Sequence, residues 1–300
     1  MTLRLDMRKA VSKAENLPSE SRDAVVEFLL RQLSEDGGFR GRSESSDVYY
    51  TAFAFEALLA LQADPPLDRI ETYLRSFGPG NELDFVHLAC LVRSRANLCD
   101  SGGHIESTVS GAMLANLREY VSSDGAFATA TAAEAGSAYA CFFALGAHQD
   151  LQAEFEARDD VLECLEGLKM PDGGYANERT TKLSSTPATA AAISILHYLQ
   201  EPIPEASLEW LLARVHLKGG FTPVAFVSES VIPDLLSTAT ALHALGLAGT
   251  PLDDVREKCL DFLDSLWTTE GGFKGSWADD LVDAEYTYYG LLSLGHLSEE

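Results

Sequence analysis

One short motif recurs along the chain and sets its length scale: a Gly-Gly or Gly-Ala pair followed by an aromatic residue. The motif ends at Phe39, Phe127, Tyr175, Phe221 and Phe273. The successive spacings are 88, 48, 46 and 52 residues, so the first spacing is nearly two periods. A degenerate unit is therefore predicted near residue 80, in the stretch FGPGNELDFVHLACLV. Six units of this length are typical of a repeat architecture in which each unit packs on its neighbours.

Each unit has the pattern of two helices around the turn. An amphipathic helix comes first, as in AVVEFLLRQL at 24–33. The turn glycines supply the positive φ that ends this helix. A polar stretch then leads to a second helix rich in Ala and Leu, as in TAFAFEALLAL at 51–61. Because the second helices are apolar on nearly all sides, we expect them to be buried inside the first ones.

Six helix pairs can close into a ring. A solenoid left open would need polar caps at both ends, and neither terminal unit is polar enough for that role. We therefore predict an all-α fold, an (α/α)6 toroid of six helix-pair repeats. Residues 21–300 are predicted to form this single domain, and residues 1–20 an N-terminal helical extension that ends near Pro18.

Composition and charge exclude several classes of protein. Hydrophobic residues make up 46% of the chain, which is typical of a globular protein. No apolar run reaches about 18 residues and no secretory leader is visible, so we predict neither a transmembrane segment nor secretion. Five widely spaced cysteines without a CxxC pair indicate reduced thiols and a cytoplasmic location. A net charge of −24 disfavours nucleic acid and would suit a basic partner subunit.

The starts of the second helices can be aligned on a Thr or Ser. The first aligned column contains Asp47, Asp84, Ala133, Ser185, Asp234 and Asp283. Five of these six are good helix N-caps, so an Asp in this column is first of all a cap. The third column contains Tyr49, Val86, Ala135, Pro187, Leu236 and Glu285. Glu285 is its single carboxylate, which either complements the helix dipole or has a chemical role.

The repeated GGF turns, followed by starts such as DVYYTA, resemble the repeat of the prenyltransferase and squalene cyclase family. The stretch RQLSEDGGF is similar to the glutamine-to-aromatic turn motif of the cyclases. The resemblance covers roughly residues 22–297. It implies an (α/α)6 toroid with a central cavity for isoprenoids, although one fold can host several chemistries.

Class II terpene cyclases of this family protonate an alkene or epoxide with the middle Asp of a D-x-D-D-T-A stretch. The resemblance places Glu285 of DAEYT at the donor position, with Asp283 as its orienting partner. Such a donor must stay protonated in an apolar cavity. The chain departs from the pattern because Glu replaces Asp and Tyr286 replaces the final Asp. Enzymes of this type also usually carry a second helical domain, for which 300 residues leave no room.

Aromatic side chains on the predicted inner helices either line the cavity and stabilise cationic intermediates or simply fill the core. The candidates for binding an isoprenoid or another apolar small molecule are Tyr49, Tyr50, Phe53, Tyr139, Phe142, Tyr286 and Tyr289.

Protein prenyltransferases of the family hold one zinc with an Asp and a Cys of the penultimate repeat and a His of the last. The matching residues here are Asp234, Leu236 and Tyr286, of which only the Asp can bind a metal. We therefore predict no zinc and no other cofactor. A hard cation such as Mg²⁺ at Asp283 and Glu285 is conceivable but poorly supported by two carboxylates.

A prenyltransferase-like R-x-x-K spacing occurs in RTTKLSS, where Arg179 and Lys182 are weak candidates for binding a diphosphate. The leading hypothesis is an isoprenoid-handling enzyme without the standard zinc, in which Glu285 and Asp283 start a cyclisation. One alternative is a non-catalytic toroid that binds a lipid or a peptide, or that serves as a scaffold subunit. Another is a zinc-independent prenyltransferase subunit that uses Arg179 and Lys182.

Overall fold

The computed structural model describes residues 2–16, 18–225 and 231–298. The helices in these ranges are α1 (Leu3–Ser12), α2 (Ser19–Arg31), α3 (Val48–Ala60), α4 (Leu67–Ser76), α5 (Phe85–Asp100), α6 (Ser107–Arg118), α7 (Ala138–Asp150), α8 (Arg158–Leu168), α9 (Thr186–Tyr198), α10 (Glu205–Leu212), α11 (Leu235–Leu247), α12 (Asp253–Leu266) and α13 (Ala284–Leu297). A 3-10 turn covers Lys13–Asn16. Strands β1 (Lys274–Ser276) and β2 (Asp279–Val282) form a short antiparallel hairpin before α13, a small addition to the predicted all-α fold.

Six helices form the inner ring: α3, α5, α7, α9, α11 and α13. Each packs on the next, and α13 packs on α3 to close the ring. Their residues are buried on nearly all sides, as their apolar sequences predict. Helices α2, α4, α6, α8, α10 and α12 surround them. The predicted (α/α)6 toroid is confirmed, and the degenerate second unit near residue 80 is the pair α4 and α5.

The turn glycines bring neighbouring units into backbone contact. Gly37 and Gly271 have φ values of 95° and 93°, which L side chains rarely adopt. A Cβ at either position would lie 2.1 Å from a backbone oxygen, that of Arg69 in α4 for Gly37 and that of Ala24 in α2 for Gly271. The last turn therefore packs on the first unit as the first turn packs on the second, which is how the ring closes.

A threonine in the inner helix fixes the aromatic residue of most turns. The N–H of Phe39 donates to Thr51 Oγ1 at 2.9 Å, and the N–H of Phe273 donates to Thr287 Oγ1 at 3.3 Å. The same contact joins Tyr175 to Thr189 and Phe221 to Thr238. Because a buried N–H without a partner is costly, this Thr belongs to the repeat for a physical reason.

The residues of the first aligned column cap the inner helices as predicted, except in the third unit. Asp47, Asp84, Ser185, Asp234 and Asp283 each accept a hydrogen bond from the first turn. In the third unit the cap is Ser137, not Ala133, because the loop before α7 is four residues longer than the alignment assumed. The corrected register places Tyr139 in the same column as Tyr49 and Glu285.

Helix α1 lies across the carboxyl ends of the inner helices. The Leu3 N–H donates to Gln149 Oε1 at the end of α7, and the Tyr198 hydroxyl at the end of α9 donates to Asp6. We call this end of the ring, which α1 covers, the floor, and the end at which the inner helices begin the mouth. The division at residue 20 stays a prediction, but α1 buries Leu3 and Met7 in the common core. None of the described helices is both long and apolar enough to cross a membrane.

Candidate functional site

The carboxylates of the last inner helix sit at the mouth. Asp283 is 1% exposed and caps α13, accepting the N–H of Tyr286 at 2.9 Å. Arg42, from the loop after the first turn, reaches across the ring closure. Its Nε donates to Asp283 Oδ2 and its Nη2 to Asp279 Oδ2, both at 2.7 Å. The guanidinium also lies 5.3 Å from the ring centroid of Tyr286. Sequence reasoning missed Arg42, since nothing in a lone basic loop residue indicates its partner.

Glu285 follows in the first turn of α13 and accepts a hydrogen bond of 2.7 Å from the Tyr49 hydroxyl of α3. Burial raises the pKa of Glu285 to about 7, and the nearby Asp283 charge adds to that rise. The Tyr49 hydrogen bond and the Arg42 charge act in the opposite direction. Near neutral pH both the acid and the carboxylate form of Glu285 are therefore populated.

Burial also raises the pKa of Asp283, while the Tyr286 N–H and Arg42 lower it. The two carboxyls thus differ in their partners. Asp283 accepts from a backbone amide and a guanidinium, whereas the hydrogen bond described at Glu285 comes from a neutral phenol. Since a charged or amide donor favours the carboxylate more than a phenol does, Glu285 is the carboxyl better placed to keep a proton.

An aromatic wall runs from Glu285 towards the floor. The ring of Tyr49 lies 5.0 Å from that of Phe53, one helical turn deeper. Phe53 in turn lies 5.5 Å from both Tyr288 and Tyr289 of α13. Tyr288 was not among the predicted residues.

A second group of rings comes from α7, on the other side of the ring. Tyr139 lies 4.6 Å from Phe143, which lies 5.9 Å from Phe142. Burial raises the pKa of the Tyr139 phenol, and the nearby Glu285 charge raises it further. Since α7 and α13 are not neighbours in the ring, side chains from both can approach each other only by projecting into its interior. Tyr49, Tyr139 and Phe142 are half-buried there.

Tyr50 and Tyr286 pack against the loops of the mouth. A Cβ on Gly41 would meet the Tyr50 ring at 2.1 Å, and one on Gly275 would meet the Tyr286 ring at 2.6 Å. Since neither glycine has a side chain, both tyrosine rings fit against the loops at the mouth. A role for Tyr50 and Tyr286 in lining the cavity stays a prediction.

His87 adds a positive charge to the mouth. Its Nδ1 lies 2.8 Å from Asp84 and its Nε2 lies 3.3 Å from Asp47, the caps of α5 and α3. The Asp47 contact is the largest of the effects that raise the pKa of His87 to about 9. The imidazole is therefore protonated at neutral pH, 6.4 Å from the Tyr49 ring.

The basic pair predicted for diphosphate lies in the loop between α8 and α9. Arg179 forms an ion pair of 3.2 Å with Asp124, and Lys182 donates to the Arg179 carbonyl at 3.0 Å. Both groups are engaged within the loops, and diphosphate binding stays a prediction. In the described ranges, no group of three His, Cys, Asp or Glu side chains is arranged to hold a metal ion. The expected absence of zinc stays a prediction, and Mg²⁺ at Asp283 and Glu285 stays poorly supported.

Comparison with known proteins gives a family match over nearly the whole chain. The model of the prenyltransferase alpha-alpha toroid domain matches residues 5–140 and 126–299. No curated protein sequence matches this one.

Solved structures with the same fold carry different chemistries. A variant of the type II terpene cyclase MstE from Scytonema, in complex with geranylgeranyl dihydroxybenzoate, is 14% identical with a TM-score of 0.64, covering 96% of this chain and 97% of its own. Protein geranylgeranyltransferase-I of Candida albicans, complexed with GGPP, is 15% identical with a TM-score of 0.66, covering 91% and 90%. The GH76A alpha-1,6-mannanase from Salegentibacter is 13% identical with a TM-score of 0.61, covering 92% and 98%.

These similarities support the fold alone, because three activities share it.

Proposed function

Because the chain belongs to the prenyltransferase alpha-alpha toroid domain family, we propose that it binds an isoprenoid inside the inner ring and starts its cyclisation with Glu285. The observation that carries this proposal is the half-buried Glu285 carboxyl, which has a pKa of about 7 and a 2.7 Å hydrogen bond from Tyr49. A general acid works best when its pKa lies near the working pH.

In the proposed reaction the Glu285 proton moves to the substrate. With an alkene, the π electron pair forms the new C–H bond and leaves a carbocation. With an epoxide, the oxygen takes the proton and its C–O bond breaks. A further double bond then closes the ring. A pKa of about 7 favours the epoxide, since its oxygen lone pair is more basic than an alkene and needs a weaker acid.

Tyr49 supports the carboxylate that forms when the proton leaves. A hydrogen bond to a charged acceptor is stronger than one to a neutral acid, so it lowers the energy of the transition state more than that of the bound substrate. Phe53, Tyr139 and Phe142 offer ring faces to the cation. The final carbocation then loses a proton to solvent and becomes an alkene. Solvent at the mouth returns a proton to Glu285.

The direct test uses an isoprenoid with a terminal epoxide and product detection by mass spectrometry. Glu285→Gln should lower turnover by about 10²–10⁴-fold, while Glu285→Asp should retain part of it. Glu257→Gln, an exposed glutamate on α12, is the matched control and should leave turnover unchanged. Full activity of Glu285→Gln would exclude the acid. Binding without conversion by the unmodified protein would favour the non-catalytic toroid.

The pH dependence of turnover tests whether Tyr49 acts on Glu285. Activity should fall as pH rises through about 7, because the reactive form of Glu285 is the protonated one. Tyr49→Phe removes a hydrogen bond that lowers the Glu285 pKa, so the midpoint should move upwards while the maximal rate falls about tenfold. An unchanged midpoint in Tyr49→Phe would show that the phenol does not act on Glu285.

A further inference from the structure

A guanidinium lies inside the ring, deeper than Glu285. Arg93 of α5 forms an ion pair with Glu56 of α3, and its Nη2 donates to the Tyr288 hydroxyl at 3.0 Å. Glu285 is the second residue of its helix and Arg93 the ninth of its own. At a rise of about 1.5 Å per residue, they are separated by about 10 Å along the ring axis. The aromatic wall of Tyr49, Phe53 and Tyr288 therefore connects an acid at the mouth to a guanidinium near the floor.

Arg93 keeps donor capacity towards a small cavity. Its hydrogen bonds to described residues leave from Nε and Nη2, which leaves Nη1 available. The side chain is 15% exposed and borders a cavity of about 30 Å³ beneath α1. The other lining residues are Leu3, Arg4, Ala89, Phe142, Phe143, Gly146, Ala147 and Asp150. That volume suits one water molecule or one hydroxyl group. The acceptor on the cavity wall is the Asp150 carboxylate, while the buried Glu56 Oε1 behind Arg93 has no hydrogen-bond partner among the described residues.

The charges around this cavity balance. Arg4 pairs with Asp150 and Asp100 at 2.7 Å each, Arg8 pairs with Asp100 at 2.9 Å, and Arg93 pairs with Glu56. Three guanidiniums thus face three carboxylates. An anion such as a diphosphate would meet no uncompensated positive charge here, whereas a neutral hydroxyl can both accept from a guanidinium and donate to a carboxylate.

We propose that the cavity beside Arg93 is a polar subsite for the hydroxyl end of an elongated isoprenoid alcohol, whose other end reaches Glu285. The inference rests on the proposed function for the isoprenoid nature of the ligand. The half-buried rings of Tyr49, Tyr139 and Phe142 hold the apolar chain between the two polar ends. Because α1 covers the floor, the ligand enters through the mouth with its hydroxyl first.

The test measures binding without turnover. In a Glu285→Gln background, equilibrium dialysis compares geranylgeraniol, geranylgeranyl diphosphate and the matching hydrocarbon that lacks the hydroxyl. The alcohol should bind about tenfold more tightly than the hydrocarbon, the size expected for a hydrogen bond to a charged group. The diphosphate should bind more weakly than the alcohol. Equal affinities for alcohol and hydrocarbon, or tightest binding of the diphosphate, would overturn the proposal.

A double variant then tests whether the preference for the alcohol arises at Arg93 and Glu56. Glu56→Gln with Arg93→Met removes both charges, which avoids leaving one of them buried alone, and should abolish the preference for the alcohol. Phe142→Leu is the control that alters only apolar contact, so it should weaken all three ligands alike. A preference that survives the double variant would place the hydroxyl elsewhere. Since none of these measurements uses turnover, they give their answer whether or not Glu285 proves to be the acid.

Discussion

The buried carboxylates of the floor and the Glu285 carboxyl at the mouth have partners of different kinds. At the floor, Arg4 and Arg93 meet carboxylates at ion-pair distance. At the mouth, Glu285 is also half-buried, but its described hydrogen bond comes from the neutral hydroxyl of Tyr49. A guanidinium partner favours the carboxylate, whereas an acid with a phenol partner can exist in either form near neutral pH. The difference teaches that the neutral partner sets Glu285 apart from the ion-paired carboxylates of both ends, including its neighbour Asp283, and suits it to proton transfer.

The histidines show the reverse contrast. At the floor, His243 Nδ1 lies 2.9 Å from His296 Nε2, and burial lowers the pKa of His296 to about 4. At the mouth, the Asp47 and Asp84 caps raise the pKa of His87 to about 9. At neutral pH the floor pair is therefore uncharged and the mouth histidine is a cation.

The largest expected effect comes from breaking the floor. Arg4→Met leaves Asp150, whose side chain is 4% exposed, buried without its guanidinium. The free energy of unfolding should fall by about 3–5 kcal/mol, measured by urea denaturation. Arg40→Met is the control, because its partner Glu44 is 99% exposed, and it should cost about 0.5 kcal/mol or less. Equal losses in the two variants would contradict the distinction between the ends.

At the mouth, by contrast, we expect that replacing Glu285 increases the free energy of unfolding. The Glu285 pKa in the folded chain is about 7, above its usual 4.5, so the unfolded chain releases this proton first as pH rises. Glu285 therefore costs stability progressively from about pH 4.5 to 7, and fully above that range. Glu285→Gln should raise the free energy of unfolding by about 2 kcal/mol at pH 8, with little effect at pH 4. A variant less stable than the unmodified protein at pH 8 would mean that the ionised Glu285 stabilises the fold.

The smallest effect on stability is expected from replacing Arg42, which is half-exposed at the mouth. Arg42→Gln should cost about 1–2 kcal/mol, because Asp283 is buried but keeps the N–H of Tyr286 as a donor, and the exposed part of the guanidinium is already screened by solvent. It should also move the pH midpoint of activity upwards, since Arg42 lowers the pKa of both Asp283 and Glu285. Arg40→Gln, two residues away, should leave the midpoint in place. A downward shift in Arg42→Gln would show that another group controls Glu285.

The sequence predicted the ring because its signals are local. Gly-Gly turns, capping Asp residues and Ala-rich helices each act within a few residues, and six copies reinforce one another. The third unit was misaligned because Ser137, its cap, follows a longer loop and no Asp marks the position. Glu285 was singled out because it differs from its column, although its role stays a proposal.

The sequence did not predict which side chains of the site contact each other. Tyr49 and Glu285 are 236 residues apart, and Arg42 and Asp283 are 241 apart. Only closure of the ring brings such pairs together. An amphipathic α1 predicts that one of its faces is buried, but not that the face covers the floor. Arg93 lies in an apolar helix where its charge gave no hint of Glu56.

Helix α1 also determines the order in which the molecule can assemble. It precedes the ring in the chain, yet Asp100, Gln149 and Tyr198, which it contacts, lie 96, 146 and 192 residues from their partners. A ten-residue helix is too short to be stable alone in water. Neighbouring units can pack as they emerge from the ribosome, since their contacts are nearer in sequence. Although it precedes the ring in the chain, α1 thus docks only on a ring that is nearly complete.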